Sequence, residues 1–343
     1  MFNLNQYTMA DIAKICGVSK ATVSRVINNN PNGVSVQTKN RILKTIEELN
    51  YRPNLLARGI AASNSRMIGL IIPDIGNLFF PSLVRGVDNF VASKGYNLLL
   101  CNTDHDQEKE KEALISMVDH RAEGVILVSG VSNESFLEKY KEYGMPLVMI
   151  GRSFDKHLSD ASVTGDNVKG ADLATQYFID SGNKNIAYFD GVAGVSGSRH
   201  RMKGYRNALE RAGREFNPIL VKSRGFSVEA GIEMVTELIN DGTEVDAILA
   251  GSDLIGIGVV KGLFKLGIKV PEEIEVIGFD DIALSRIFEP QLSSVFKPHY
   301  EIARQATRFL FERINGTLGD LRHITVDCTL KLRQTTRNVV KSD

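Results

Sequence analysis

Cysteine is scarce: Cys16, Cys101 and Cys328 are odd in number and far apart in a chain of 343 residues, so no disulfide framework is implied. Long apolar runs are missing too; none approaches the roughly 20 residues that cross a bilayer. The start, Met1-Phe2-Asn3-Leu4-Asn5-Gln6, lacks the basic and apolar stretches of a secretory leader. These absences predict a cytoplasmic, reducing location. What remains is 43% hydrophobic and 24% charged, an ordinary globular balance that excludes disordered, collagen-like and low-complexity chains. The length suits two or three domains of ~100–200 residues.

Signatures of catalysis are missing as well. There is no Walker A string, no Gly-x-Gly-x-x-Gly after a strand, and no His-x-x-x-His or Cys-x-x-Cys spacing. Gly191, Gly194 and Gly197 form only a loose glycine loop, and the six histidines are scattered. Asp280-Asp281 is a carboxylate pair without a matched nucleophile and base. The sequence therefore predicts no enzyme, no metal and no cofactor.

Charge is not evenly spread. Residues 1–66 carry nine Lys/Arg and three Asp/Glu, a net charge of +6, and the remainder holds 32 basic and 38 acidic residues, or −6. A basic head on an acidic body fits a polyanion-binding module joined to something else. On charge alone, a solvated basic surface fits equally.

Within the head, Thr8 with Asp11 three residues on starts a helix as a capping-box variant. Met9, Ile12, Ala13 and Cys16 make one apolar stripe, and Gly17 stops it at a position suited to positive φ. Ser19 caps a second helix, Lys20 to about Asn28, with Val23, Val26 and Ile27 inward. Its outer face carries Lys20, Ala21, Thr22 and Arg25. Asn29-Asn30-Pro31-Asn32-Gly33 is a turn cluster. A third helix, capped by Ser35, runs to Leu49 with Ile42, Ile46 and Leu49 inward. Two short helices joined by a glycine turn make a helix-turn-helix; period and caps alone also fit any small three-helix bundle.

Beyond the head, β-branched runs alternate with helical patterns. Residues 67–73, 96–101, 123–129 and 146–151 read as buried parallel strands, with helices over 80–93, 106–120 and 134–143. After Asp166 the pattern restarts with strands over 185–190, 246–251 and 274–279. Its helices cover 168–181, 199–212, 227–240 and 253–266. The predicted fold class is an all-α helix-turn-helix head plus an α/β body of two doubly wound parallel-sheet subdomains. Ligands in such sheets bind beyond the carboxyl ends of strands, here in a cleft between two lobes.

Specific strings carry a resemblance. Ala10-Asp11-Ile12-Ala13 followed by Gly17-Val18-Ser19-Lys20-Ala21-Thr22-Val23-Ser24-Arg25-Val26-Ile27-Asn28, with Asn50-Tyr51-Arg52-Pro53-Asn54-Leu55-Leu56-Ala57-Arg58, resembles the head and hinge of the lactose-repressor (LacI/GalR) family. Val276-Ile277-Gly278-Phe279-Asp280-Asp281 and Gln291-Leu292-Ser293-Ser294-Val295 resemble that family's effector domain, itself similar to periplasmic sugar-binding proteins. The resemblance implies a DNA-binding domain over 1–51, a hinge and linker over 52–66, and an effector and dimerisation domain over 67–343. In the last, an N-lobe of about 67–165 and 299–328 faces a C-lobe of about 166–297 and 329–343.

The resemblance makes Lys20, Ala21, Thr22 and Arg25 the base readers, and the chemistry agrees: Arg or Lys donates to guanine, and Ala or a Thr methyl meets the thymine methyl. Thr8, Ser19, Ser24, Asn28 and Tyr51 would hold phosphates, although Ser19 reads equally as a cap only. Cys16 reads as a packing residue. Pro53, Asn54, Ala57, Arg58 and Ile60 belong to a hinge segment too short to be a stable helix alone, one that in the family folds on DNA. Ile60 stands where the family usually has a Leu wedge; alternatively it is a linker residue touching nothing.

In the cleft the resemblance places Asp74, Asn77, Phe79, Phe80, Arg152, Arg199, Phe226, Ser252, Asp280 and Lys297. Aromatics suit the apolar face of a sugar, and carboxylate and guanidinium groups suit its hydroxyls. Gly151 replaces a frequent Asp and Ser252 a frequent Asn, which leaves the ligand's identity open. Lys297 replaces a neutral residue, often Gln; it reads as a hint of an anionic ligand or as a surface lysine. Asp280 and Arg199 read as a clamp, with Asp280 as a mere loop cap the alternative.

The sequence thus predicts a DNA-binding transcriptional repressor of carbohydrate-metabolism genes, its operator affinity modulated by a sugar-like effector. One alternative is a sugar-binding transport protein. Another is a catabolite-control regulator whose corepressor is a phosphorylated carrier protein, a subgroup resembled in Ile72-Pro73-Asp74-Ile75-Gly76-Asn77. No apolar heptad follows Arg337, so a homodimer on a pseudo-palindromic operator is expected.

Overall fold

Apolar stripes and caps set the helices, and continuous β-branched runs set the strands, in a computed structural model that describes residues 7–27, 30, 32–51, 65–128, 134–151, 158–192, 196–320 and 322–337. The chain divides into two units, Met1–Ser65 and Arg66–Asp343.

The first unit holds α1 (Met9–Ile15), α2 (Lys20–Ile27) and α3 (Val36–Glu48). The capping box closes as expected: Thr8 Oγ1 accepts from the Asp11 amide at 3.3 Å, and Asp11 Oδ2 accepts from the Thr8 amide at 2.7 Å. Gly17 turns the chain at φ +62°, a conformation that costs glycine little. Ile12, Val23, Val26 and Ile42 meet in the core. Cys16 is buried there and donates to Thr45 Oγ1 at 3.3 Å, so it packs as expected.

The second unit is built on two six-stranded sheets. The first runs β11 (Arg322–Val326), β5 (Ala161–Gly165), β4 (Leu147–Ile150), β3 (Gly124–Val128), β1 (Met67–Ile72), β2 (Asn97–Asn102). All of its pairings are parallel. The second runs β12 (Thr329–Lys331), β10 (Ser293–Phe296), β9 (Glu275–Asp280), β8 (Ala247–Ala250), β6 (Ile186–Asp190), β7 (Val221–Ser223). Only β12 is antiparallel, against β10.

Around the first sheet lie α4 (Phe80–Ser93), α5 (Gln107–Asp119) and α6 (Glu134–Lys141). With the second come α7 (Asn167–Asp180), α8 (Ser196–Arg211), α9 (Val228–Asn240), α10 (Asp253–Lys265) and the short α11 (Ala283–Ile287). The long α12 (His299–Ile314) follows a strand of the second sheet yet packs on the first, with Ile302, Ala303, Ala306, Phe309 and Leu310 in one core with Ile68, Leu70 and Val148. The chain accordingly passes between the sheets three times, after β5, β10 and β11.

The sequence places seven of the twelve strands found among the described residues. The five it lacks, β5, β7, β10, β11 and β12, are three to five residues long, and each lies at a sheet edge or one place in from it. A short run in such a place has little apolar patterning to reveal it.

Candidate functional site

In the first unit the outer face of α2 is open. Lys20, Ala21 and Arg25 are exposed and Thr22 is half-buried, opposite the buried Val23 and Val26. Ser19 caps the helix, its Oγ accepting from the Thr22 amide at 3.2 Å and lying 3.0 Å from Thr22 Oγ1. Thr8 is exposed, with its hydroxyl on Asp11 at 2.7 Å, and Ser24 is half-buried. Tyr51 is only 8% exposed and its ring joins the head's core. Asn28, Pro53, Asn54, Ala57, Arg58 and Ile60 lie outside the described residues.

In the second unit a cavity of about 100 Å³ opens where strands of both sheets end. On the same measure one water takes ~10–15 Å³, so several waters fit. Asn77, Phe79 and Phe80 reach it from the turn into α4, Phe226 from the loop before α9, and Ser252, Asp280 and Lys297 from the ends of β8, β9 and β10. Asn77 Oδ1 accepts from the Phe79 amide at 3.0 Å, which fixes that turn. Ser252 Oγ accepts from the Ile255 amide at 3.3 Å, capping α10. Phe226 reaches the cavity wall because Gly191 has no Cβ, which would sit 2.3 Å from its ring.

Three expectations need correction. Asp74 does not line the cavity; its Oδ1 accepts from the Gly76 amide at 2.8 Å and closes the turn after β1. Arg199 does not line it either. Because α8 begins at Ser196, Arg199 falls on the exposed side of the helix and Arg201 turns inward with Gly204, Tyr205, Ala208 and Leu209. That stripe is legible in the sequence and marks Arg201 as the inward arginine. Lys297 is neither a surface lysine nor an unpaired charge awaiting an anion: it is 8% exposed, and its Nζ lies 2.8 Å from Asp280 Oδ1. Arg152 lies outside the described residues.

Arg201, His299 and Asn167 also line the cavity and were missed by the sequence expectations. His299 and Asn167 open helices directly after chain passages between the sheets, where no periodicity signals a site. His299 Nε2 donates to the Asp280 carbonyl at 2.8 Å, and its ring stands edge-on to Phe79 at 4.4 Å. Burial pushes the His299 imidazole down to about 4, against the pull of Asp280. Burial alone would raise the Asp280 carboxyl, but Lys297, His299 and Arg201 around it outweigh that and hold it below its ordinary range. Asp280 itself sits at φ +101°, rare for a non-glycine residue.

Buried polar atoms without a hydrogen bond cluster here. Asn167 Oδ1, Arg201 Nε, Asp280 Oδ1 and His299 Nδ1 are four of the seven such atoms among the described residues, and all four belong to cavity-lining residues. Lys297 approaches Asp280 Oδ1 as a charge without hydrogen-bond alignment. Unsatisfied buried groups cost free energy unless something meets them, so the cluster is suited to a polar ligand.

Comparison with known proteins agrees with this division of labour. Residues 8–54 match the family model for bacterial regulatory proteins of the lacI family, and residues 65–334 match that for periplasmic binding proteins and the sugar-binding domain of the LacI family. Catabolite control protein A of Priestia megaterium is 37% identical over 331 residues, 96% of this chain and 99% of that protein. The ribose operon repressor of Halalkalibacterium halodurans is 33% identical over 338 residues, 98% of this chain and 99% of that one. Among solved structures, the transcriptional regulator CelR in complex with cellobiose superposes with a TM-score of 0.73 at 28% identity, covering 96% of this chain and all of that one. The chain belongs to the LacI family of bacterial regulatory proteins.

Proposed function

We propose that the chain is a sequence-specific transcriptional repressor of carbohydrate-metabolism genes whose affinity for a double-stranded operator is set by a sugar-like effector in the cleft. The cluster of unpaired buried atoms carries the effector reading. His299 is neutral near pH 7 with Nε2 donating, so Nδ1 is an acceptor; Asn167 Oδ1 is an acceptor as well, while Arg201 Nε is a donor, and Asp280 Oδ1 is already held by Lys297. A ligand that answers the other three brings hydrogen-bond donors and acceptors together, as the hydroxyls of a sugar do. A simple anion brings acceptors only. That the related regulator binds cellobiose supports the same ligand class.

Lys20, Ala21, Thr22 and Arg25 read bases, with Thr8, Ser19 and Ser24 near the backbone; the exposed outer face of α2 supports this. The head spans 1–51, and residues 52–66 form the hinge, with Ile60 at the minor groove. The protein acts in the cytoplasm as a homodimer on a pseudo-palindrome. Among the described residues no helix is long and apolar enough to cross a membrane.

Selection of operator fragments by the whole protein, then titration of the selected fragment with and without D-ribose, D-glucose and cellobiose, tests the proposal. Operator binding that no sugar alters counts against it. Because a catabolite control protein is among the relatives, the same fragment is titrated with phosphorylated and unphosphorylated carrier protein. A response to the phosphorylated form alone favours the corepressor alternative.

A further inference from the structure

The Lys297 ammonium occupies a seat with three walls. One is the Asp280 carboxylate, 2.8 Å from Nζ. The others are the ring of Phe79, whose centroid is 4.7 Å away, and that of Phe279 at 5.8 Å. A carboxylate combined with aromatic faces within about 6 Å is the chemistry that recognises an organic ammonium. The stem reaches the seat over Gly165, where a Cβ would lie 2.3 Å from Lys297 Cδ. Lys297 and Asp280 are both largely buried.

This occupancy decides two properties of the cleft. The ring face of Phe79, on which the apolar side of a sugar would stack, is covered by the chain's own cation. The Asp280 charge is balanced as well, and Arg201 faces its own carboxylate, Asp190, at 4.0 Å. Among the described residues, the Asp280 and Arg201 charges of the cleft therefore each have a partner before any ligand enters.

We propose that Lys297 is the specificity-determining residue of the cleft: it fills an ammonium seat formed by Asp280, Phe79 and Phe279, so that uncharged polyhydroxy ligands are admitted and amino sugars are turned away. The inference rests on the effector reading above and adds the exclusion of amines to it. Vacating the seat leaves Asp280 facing the cavity unbalanced, and an external amine then takes the place of the lysine.

The test uses the whole chain, with small amines as probes of the vacated seat. Lys297→Ala is melted with n-butylammonium chloride, 1-butanol or sodium chloride at equal concentrations. Lys297→Met, which keeps the stem beside Phe79 in case the alanine variant fails to fold, is melted with methylammonium chloride, methanol or sodium chloride. The expected result is a concentration-dependent rise in melting temperature with the amine alone, in the variant and not in the wild type. D-glucosamine and D-glucose are then titrated against wild type and Lys297→Met, with the affinity ratio moving roughly tenfold toward the amine in the variant. Amine and alcohol acting alike on the folded variants overturns the proposal, as does a wild type that prefers glucosamine. A wild type answering no sugar, beside an amine-rescued variant, counts against the effector reading and leaves the seat standing.

Discussion

The hydroxyl of Ser294 donates to Asp253 Oδ1 at 2.5 Å, inside a site fully closed to solvent where the Ile282 amide donates to Oδ2 at 2.7 Å. Burial pushes the Asp253 carboxyl up to about 8, with the nearby Asp280 charge adding to the rise. The folded state therefore binds this proton more tightly than the unfolded chain does. Its contribution to stability is complete below about pH 4 and is lost as pH rises through 8, at up to about 1.4 kcal/mol per pH unit. Asp253→Asn removes the titration while preserving the shape of the group. Denaturant melts from pH 5 to 9 should show a flatter profile for the variant, and an unchanged slope refutes the assignment.

His299 works with the opposite sign. Its imidazole is lowered to about 4, so its contribution is present above about pH 6.5 and is lost as pH falls through 4. His299→Gln, compared with wild type between pH 3.5 and 7, should lose less stability on acidification. Equal losses count against the burial of a neutral ring.

Arg201 and Arg199 separate the cleft from the surface. Arg201→Met keeps the stem and should cost roughly 2–5 kcal/mol in sugar affinity, the usual loss when one member of a buried charged contact is truncated. Arg199→Ala should leave that affinity within ~0.5 kcal/mol, as surface changes do. Titrating a responsive sugar against both variants decides this, with operator binding in its absence as the control for folding.

Gly165 and Lys297 are coupled through space. A methyl group at Gly165 overlaps the lysine stem, so Gly165→Ala displaces Lys297 and should cost about 1–3 kcal/mol, as overpacking does. In the background of Lys297→Ala most of that cost should vanish. A double-mutant cycle by urea denaturation measures the coupling; additive effects mean that the overlap is relieved elsewhere.

On DNA, Lys20→Ala or Arg25→Ala should cost about 1–3 kcal/mol and relax preference at one base position, the effect of losing a base-edge contact. Competition between the selected operator and single-base variants reads this out. A loss equal across all sequences, with a shallower salt dependence, assigns the residue to phosphate instead.

Much of the fold is legible in the sequence for identifiable reasons. The run Met67–Ile72 is continuous and apolar because both faces of β1 are covered. The stripe of α4 is regular enough to give its bounds, Phe80–Ser93, as found. The edge strand β11 carries exposed Arg322 and His323, and nothing in such a run distinguishes strand from loop. The sequence reading has no helix at α12, and only the family resemblance, not a local period, assigns 299–328 to the lobe of the first sheet. In the cleft, Asp280 stands in a recognisable string and Phe79 just past one, and phase alone distinguishes Arg201 from Arg199. That Lys297 lies under Phe79 depends on contacts between segments more than 200 residues apart, which no spacing encodes.

The three passages of chain between the sheets have a mechanical consequence. Asn167 follows the first, Lys297 and His299 span the second, and buried Cys328 lies in the third. Three tethers leave two lobes free to bend toward one another while resisting sliding. Two of the three passages thus supply both the axis of that bending and part of the cavity wall. A molecule seated against Asn167 and His299 touches the joint itself, and the angle between the lobes becomes part of its binding equilibrium. Affinity for one angle over another is all that a small ligand needs to move a far larger body.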